Sequence, residues 1–185
     1  RWVALLNQAE GHELLTCGRA IAEKIIDAGA ERVVLGAVAT QYPVRQVLLR
    51  GTGKQSPVGI VVLAAGCGER LGGGKQLLPI DGQPMIKKTI TNLLAADLGN
   101  IVVVLGYQSA KVAAVLKRLP LDLAINTEYH QGLSSSLKAG LAAQAPTIRA
   151  VLFVLADQPQ VSPQVYENLA KAYLQSNKKI IVPAY

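Results

Sequence analysis

The stretch Val58-Gly-Ile-Val-Val-Leu-Ala-Ala-Gly-Cys-Gly-Glu-Arg-Leu-Gly-Gly-Gly-Lys75 decides the fold of this chain. Its first half is apolar and β-branched, which predicts a buried strand over Val58–Leu63. A loop rich in glycine follows, and glycine lets backbone N–H groups approach a ligand closely. Such amides form a nest for anions, and two cations add to it. The residues that build this loop are Gly66, Gly68, Arg70, Gly72, Gly73, Gly74 and Lys75.

Neither of two familiar phosphate-binding loops matches this stretch. The dinucleotide fingerprint needs Gly-x-Gly-x-x-Gly, whereas Gly66 to Gly72 contains one residue too many. The P-loop needs Ser or Thr after its lysine, whereas Gln76 follows Lys75. A mobile surface loop is the alternative to a phosphate site, but the position directly after a buried strand favours the phosphate site.

The rest of the chain alternates strand and helix patterns, which predicts an α/β fold with a parallel sheet and helices on both faces. Proline at helix starts and glycine after helix ends support the boundaries. Strands are predicted at Arg32–Val38, Val58–Leu63, Ile101–Leu105, Leu123–Asn126, Ala150–Ala156 and Lys179–Val182. Helices are predicted at His12–Ala28, Pro84–Asp97, Ser109–Leu119, Ser134–Ala143 and Pro163–Gln175.

Composition excludes several classes of protein. The 185 residues are 50% hydrophobic, which argues against disorder. The longest apolar run, Ala150–Ala156, is too short to span a membrane. The net charge of +7 accompanies only 4% aromatic residues, so no stacking surface for nucleic acid is expected. Cys17 and Cys67 have no metal-ligand spacing, and with no visible signal peptide we expect a cytoplasmic protein.

A polar stretch from Gly51 to Pro57 divides the chain and has the composition of a linker. Residues 1–50 contain too few elements to enclose a core, so we expect them to be the end of a preceding domain. The third segment, 58–185, begins again with a strand and a glycine loop. The first residue is not Met, and the last residues run into a turn, so the chain is expected to be an excerpt.

Two further segments can carry chemistry. Asp157 follows the strand Ala150–Ala156, and ligands of open α/β sheets bind at the carboxyl ends of the strands. Its carboxylate suits Mg²⁺, or alternatively it forms a turn before Pro159. Gly132-Leu-Ser-Ser-Ser-Leu-Lys138 precedes a helix, where serines can cap the helix or hold phosphate and ribose oxygens.

The glycine loop resembles the signature loop of nucleotidyltransferases that join a nucleoside monophosphate to a phosphorylated acceptor. Three later motifs resemble the molybdenum-cofactor cytidylyltransferases and their guanylyl relatives, the MobA-like NTP transferases. These motifs are Gln76-Leu-Leu-Pro-Ile, Asn126 with Gly132-Leu-Ser-Ser-Ser-Leu137, and Ala156-Asp-Gln-Pro159. The segment from Val3 to Glu10 is similar to the end of a P-loop domain in accessory proteins of selenium-dependent molybdenum hydroxylases, with Gln8 and Glu10 at guanine-reading positions.

The resemblance implies a three-layer, Rossmann-like, mostly parallel sheet of the nucleotide-diphospho-sugar transferase type, truncated at its C-terminus. It implies catalytic roles for Arg70 and Lys75 and a magnesium ligand at Asp157. It places Ala65 where guanylyl relatives carry glycine, which favours CTP over GTP. The implied nucleotide-binding residues are Leu63, Ala64, Ala65, Gly66, Gly68, Gly72, Gly73, Gly74, Asn126, Gly132, Ser134 and Ser135.

The implied reaction transfers CMP from CTP to the phosphate of molybdopterin and releases pyrophosphate, with Mg²⁺ as cofactor and a molybdenum hydroxylase apoenzyme as a possible partner. The alternatives are another cytidylyl- or guanylyltransferase and a non-catalytic chaperone that binds the nucleotide or cofactor. Family members continue past the region of Tyr185 with a second acidic metal ligand, so we expect this chain to lack it.

Overall fold

The computed structural model describes the backbone of residues 3–8, 32–37, 56–68, 73–176 and 181, and the side chains of all but the first two of these ranges. The strands are β1 Val3–Gln8, β2 Arg32–Ala37, β3 Val58–Ala64, β4 Pro79–Ile80, β5 Gln83–Pro84, β6 Ile101–Leu105, β7 Asp122–Ile125 and β8 Ala150–Leu155. The α-helices are α1 Met85–Ala96, α2 Ser109–Leu116, α3 Leu133–Ala142 and α4 Pro163–Gln175. Short 3₁₀ turns lie at Lys75–Leu77 and Tyr129–Gln131.

Six strands form one sheet in the order β2-β1-β8-β3-β6-β7, and every neighbouring pair is parallel. The remaining two, β4 and β5, pair as a small antiparallel hairpin. Leu63 of β3 lies opposite Val104 of β6 and Leu155 of β8. The carboxyl ends of these central strands therefore meet at one edge of the sheet, where the glycine loop begins.

Helices cover both faces of the sheet, and this explains why β3, β6 and β8 consist of apolar residues, nearly all of them buried. Alternate residues of β3 point to opposite faces: Ile60 and Val62 pack with α1, α2 and α4, whereas Val61 and Leu63 pack with α3. The result is a three-layer α/β fold with a mostly parallel sheet, which confirms the predicted fold class.

Several predicted boundaries shift for local reasons. The helix predicted to reach Leu119 ends at Leu116, because Pro120 disfavours helical geometry at the residue before it. The helix predicted from Ser134 begins at Leu133, since Gly132 with φ +99° occupies the N-cap position. The helix predicted at 12–28 and the strand predicted at 179–182 lie outside the described residues, apart from position 181.

The division of the chain at Gly51–Pro57 stays a prediction. The sheet nevertheless continues across it, because β1 pairs with β8 as well as with β2. The carbonyl of Pro57 accepts hydrogen bonds from the amides of Arg149 (2.8 Å) and Ala150 (2.9 Å). Among the helices of the described ranges, none has the length and apolar character needed to cross a membrane.

Candidate nucleotide-binding site

The glycine loop begins where β3 ends and turns back on itself. The amide of Gly73 donates to the carbonyl of Gly68 at 3.3 Å, and the amide of Gly74 donates to that of Cys67 at 3.2 Å. All three of these glycines have positive φ, at +64° for Gly68, +87° for Gly73 and +71° for Gly74. Only glycine adopts such angles without strain, so the loop closes at its base because of these residues.

Buried donors hold the first turn of the loop. The Gln76 carboxamide donates from Nε2 to the carbonyls of Gly66 (2.8 Å) and Ala64 (3.3 Å). Between them, the carbonyl of Ala65 accepts from the amide of Tyr107 at 3.0 Å. Three consecutive carbonyls are thus satisfied by protein donors, and this fixes the course of the chain as it leaves the sheet.

Lys75 and Asp157 form an ion pair across the two central strands. Lys75 follows the glycine loop that leaves β3, and Asp157 lies just beyond the end of β8. Lys75 Nζ is 2.9 Å from Asp157 Oδ2, and each side chain is 36% exposed. The pair is therefore open to solvent and accessible to a ligand.

A pocket of about 310 Å³ lies between the glycine loop, the start of α3 and the end of β8. Its walls are mostly apolar, and its polar groups come from a few side chains and from loop backbone. An apolar cavity with a few convergent polar groups is typical of a small-molecule site. It is lined by Leu63, Ala65, Gly66, Gly68, Lys75, Gln76, Tyr129, Gly132, Leu133, Ser136, Leu155, Ala156 and Asp157.

Asn126 holds two of the three serines at the start of α3. Its Nδ2 donates to Ser135 Oγ (2.9 Å) and Ser136 Oγ (3.0 Å), and its Oδ1 accepts from the amide of Glu128 (3.0 Å). Ser135 Oγ also lies 2.8 Å from the carbonyl of Gly132, to which it can donate its proton. The hydroxyl of Ser135 is therefore committed to the protein.

Ser136 has a different position. Its hydroxyl accepts from Asn126 and lines the pocket, and no acceptor for its proton occurs among the residues that the structure describes. It can donate that proton to a bound ligand. Ser134, in contrast, is exposed and lies outside the pocket lining.

The structure gathers about half of the predicted site residues around the pocket. Those that line it are Leu63, Ala65, Gly66, Gly68, Lys75, Gly132 and Asp157. Those that lie near it without lining it are Ala64, Gly73, Gly74, Asn126, Ser134 and Ser135. Arg70 and Gly72 fall outside the described residues.

Sequence reasoning missed several lining residues, of which Gln76, Tyr129 and Ser136 carry polar side chains. For Ser136 a signal was available, because it lies three residues after Leu133 and one residue before the buried Leu137. Helix positions three and four apart share a face, so the buried face of α3 includes Ser136 and not Ser135. Tyr129 sits in a 3₁₀ turn and had no comparable local signal.

The residues present fit a divalent cation that is held mainly by its substrate. Among the described residues, Asp157 is the one carboxylate that lines the pocket, and no group of three or more potential metal ligands occurs there. Mg²⁺ commonly binds one or two carboxylates together with substrate phosphates and waters. A half-exposed carboxylate beside a glycine loop that is predicted to bind phosphates matches that pattern.

A glycine loop at the carboxyl end of a central parallel strand, with a lysine and an aspartate at the pocket mouth, defines a Rossmann-like domain of the nucleotidyltransferase class. The chain belongs to the MobA-like NTP transferase domain family, which it matches over residues 60–185. The superfamily indicated by the glycine loop is thereby confirmed.

Individual relatives cover parts of the chain. Nicotine blue oxidoreductase of Paenarthrobacter nicotinovorans is 38% identical over 103 residues, which are 55% of this chain and 50% of that protein. The 2-C-methyl-D-erythritol 4-phosphate cytidylyltransferase of Symbiobacterium thermophilum is 33% identical over 70 residues, 37% of this chain and 30% of that protein. The chain thus spans about half the length of the first relative and less of the second.

A solved structure shows the same fold. The Mycobacterium tuberculosis H37Rv protein Rv0371c, in complex with manganese, superimposes with a TM-score of 0.55 at 26% identity. The similarity covers 63% of this chain and 59% of that chain.

Proposed function

We propose that this domain transfers a nucleoside monophosphate from an NTP to a phosphorylated acceptor, specifically CMP from CTP to the phosphate of molybdopterin. The observation that carries the proposal is the pocket with the Lys75–Asp157 pair at its mouth, directly beside the glycine loop. Family membership and the cytidylyltransferase relative support the reaction class. The molybdopterin acceptor rests on the motif resemblance.

The apolar part of the pocket lining suits a nucleobase. Leu63, Ala65 and Leu133 provide apolar surface, and the Ser136 hydroxyl supplies one directed donor. The Ala65 methyl occupies space that a glycine would leave open, and this favours a pyrimidine over a larger purine. A carbonyl or ring nitrogen of cytosine is an acceptor that Ser136 can satisfy.

The polar part of the pocket lining suits the triphosphate. The loop amides and Lys75 stabilise negative charge. Because the side chains of Lys75 and Asp157 are both partly exposed, Lys75 can leave Asp157 and bind a phosphate instead. An acceptor phosphate oxygen then attacks the α-phosphorus in line, and pyrophosphate leaves. Positioning and charge stabilisation account for most of such catalysis. We assign Arg70 a second charge-stabilising role.

Asp157 would hold Mg²⁺, which supplies charge neutralisation on the phosphates when it is bound. The manganese complex of the structural relative supports a divalent cation in this fold. A molybdenum hydroxylase apoenzyme is the proposed recipient of the product.

The test measures pyrophosphate release from CTP or GTP with molybdopterin and Mg²⁺. Lys75→Ala and Asp157→Asn should each lower the rate about 10²- to 10³-fold, the typical cost of one preorganised charge-stabilising group. Lys88→Ala and Asp81→Asn are matched controls, because these residues form the other ion pair of the described residues, and neither lines the pocket. Near-normal turnover of both pocket variants would contradict the assignment.

A second candidate is a redox reaction, and the 38% identity to nicotine blue oxidoreductase favours it. The same loop can hold the pyrophosphate of a dinucleotide. Oxidation of NADH or NADPH in the presence of a quinonoid dye, without pyrophosphate release from any NTP, would establish this candidate instead. Binding of CTP without either reaction would indicate a chaperone.

A further inference from the structure

We propose that Asn92 of α1 is a positioning residue for the cation site at Asp157, an inference that rests on the proposed function. The relevant segment is residues 156–161, here called the Asp157 loop, which joins β8 to α4. Asn92 Nδ2 donates to two carbonyls of this loop, those of Val161 at 2.8 Å and Pro159 at 3.1 Å. Asn92 does not line the pocket, so it acts on a ligand only through the loop.

A second residue of α1 anchors the other end of the loop. Thr89 Oγ donates to the carbonyl of Ala156 at 3.0 Å. Thr89 and Asn92 are three residues apart and therefore share one face of the helix. Their hydrogen bonds flank Asp157 on both sides, so α1 fixes the backbone that presents the carboxylate.

The same helix also follows the segment that carries Lys75. Lys75 begins a 3₁₀ turn, the β4–β5 hairpin comes next, and α1 starts at Met85. The amide of Met85 donates to the carbonyl of Leu78 at 2.9 Å, which ties the helix start to that turn. α1 is thus connected to both halves of the Lys75–Asp157 pair.

This arrangement is expected to control cation affinity. Groups that hold a metal ligand in place commonly change metal affinity by about 10- to 100-fold when they are removed. Asn92 is the better residue to test, because Thr89 is fully buried and also bonds to the carbonyl of Met85 at 3.2 Å. Loss of Thr89 would disturb the helix as well as the loop.

The experiment measures binding of Mn²⁺ to the 185-residue chain in the presence of CTP, by the enhancement of water-proton relaxation, which distinguishes Mn²⁺ on the protein from Mn²⁺ chelated by free CTP. We expect Asn92→Ala to raise the Kd for Mn²⁺ about tenfold and to leave the Kd for CTP without metal within about twofold. Thr91→Ala is the matched control, because Thr91 is exposed on the same helix and bonds only to the carbonyl of Lys87. Asn92→Ser keeps one donor and should fall between wild type and Asn92→Ala, which covers the case in which the alanine variant unfolds.

The outcomes separate the two proposals. Unchanged Mn²⁺ affinity in folded Asn92 variants would overturn the positioning role alone. An equal loss of metal and metal-free CTP binding would also overturn it, since that indicates general disruption of the pocket. If the wild-type chain binds no Mn²⁺ with any NTP, the proposed function fails and the role of Asn92 fails with it.

Discussion

Alanine substitution of the three consecutive serines of α3 should produce three different results. Ser134 is exposed, Ser135 bonds to Asn126 and to the carbonyl of Gly132, and Ser136 lines the pocket with a hydroxyl proton that has no acceptor among the described residues. Because the chemical change is the same at each position, differences between the variants report on position alone.

The magnitudes follow from the hydrogen bonds that each hydroxyl makes. Ser134→Ala should change the free energy of unfolding and the CTP affinity by less than about 0.5 kcal/mol. Ser135→Ala leaves one Nδ2 hydrogen of the buried Asn126 without an acceptor, which costs about 2 kcal/mol of stability. Ser136→Ala has a similar cost in stability and also removes a bond to the ligand worth about 1 kcal/mol, or about fivefold in Kd.

Two measurements are needed, urea denaturation for stability and isothermal titration calorimetry for CTP with Mg²⁺. The decisive comparison is between Ser135→Ala and Ser136→Ala, since both lose stability and only the second should lose affinity. The reasoning is refuted if Ser135→Ala weakens CTP binding as much as Ser136→Ala, or if Ser134→Ala alone weakens it.

Two further predictions concern the packing around the site. Gln76→Leu should lower the free energy of unfolding by about 1 kcal/mol in urea denaturation. Two donated bonds are lost, while the variant also removes the buried Oε1, which has no hydrogen-bond partner among the described residues. A variant more stable than wild type would contradict this. Gly140→Ala should lower Tm by about 2–4 °C, since the new methyl would meet Val61 and Val104 in the core and overpacking outweighs the gain in helix propensity. Calorimetry checks the second prediction, and an unchanged or raised Tm would show that the core yields to the methyl group.

Much of the site could be predicted because its residues follow strands. Leu63, Gly66, Lys75 and Asp157 are placed together by one rule, that parallel strands bring their carboxyl ends to the same edge. To predict that these residues lie together, it is enough to recognise the strands and the segment that follows each of them. The glycines and the lysine of the loop then indicate a site for an anion, because this composition is typical of such sites.

The supporting contacts could not be predicted in that way. Asn92 contacts residues 67 and 69 positions away, and Gln76 contacts the loop 10 and 12 positions before it. Periodicity specifies which face of an element is apolar, whereas these polar contacts depend on how separate elements are arranged. The prediction names Ser135 and not Ser136, which lines the pocket, because it did not use the helical spacing that places Ser136 on the buried face of α3.

The Lys75–Asp157 pair is better explained by ligand exchange than by stability. Each side chain is 36% exposed, and ion pairs open to solvent contribute only about 0–1 kcal/mol. Separating the two charges therefore costs little, whereas a buried pair would resist separation. In the proposed reaction, Lys75 turns to the polyphosphate that enters and leaves the carboxylate of Asp157 to a divalent cation at the same edge of the sheet. The weak pair would then keep both groups near the pocket until a phosphate becomes the partner of Lys75 and a cation becomes the partner of Asp157.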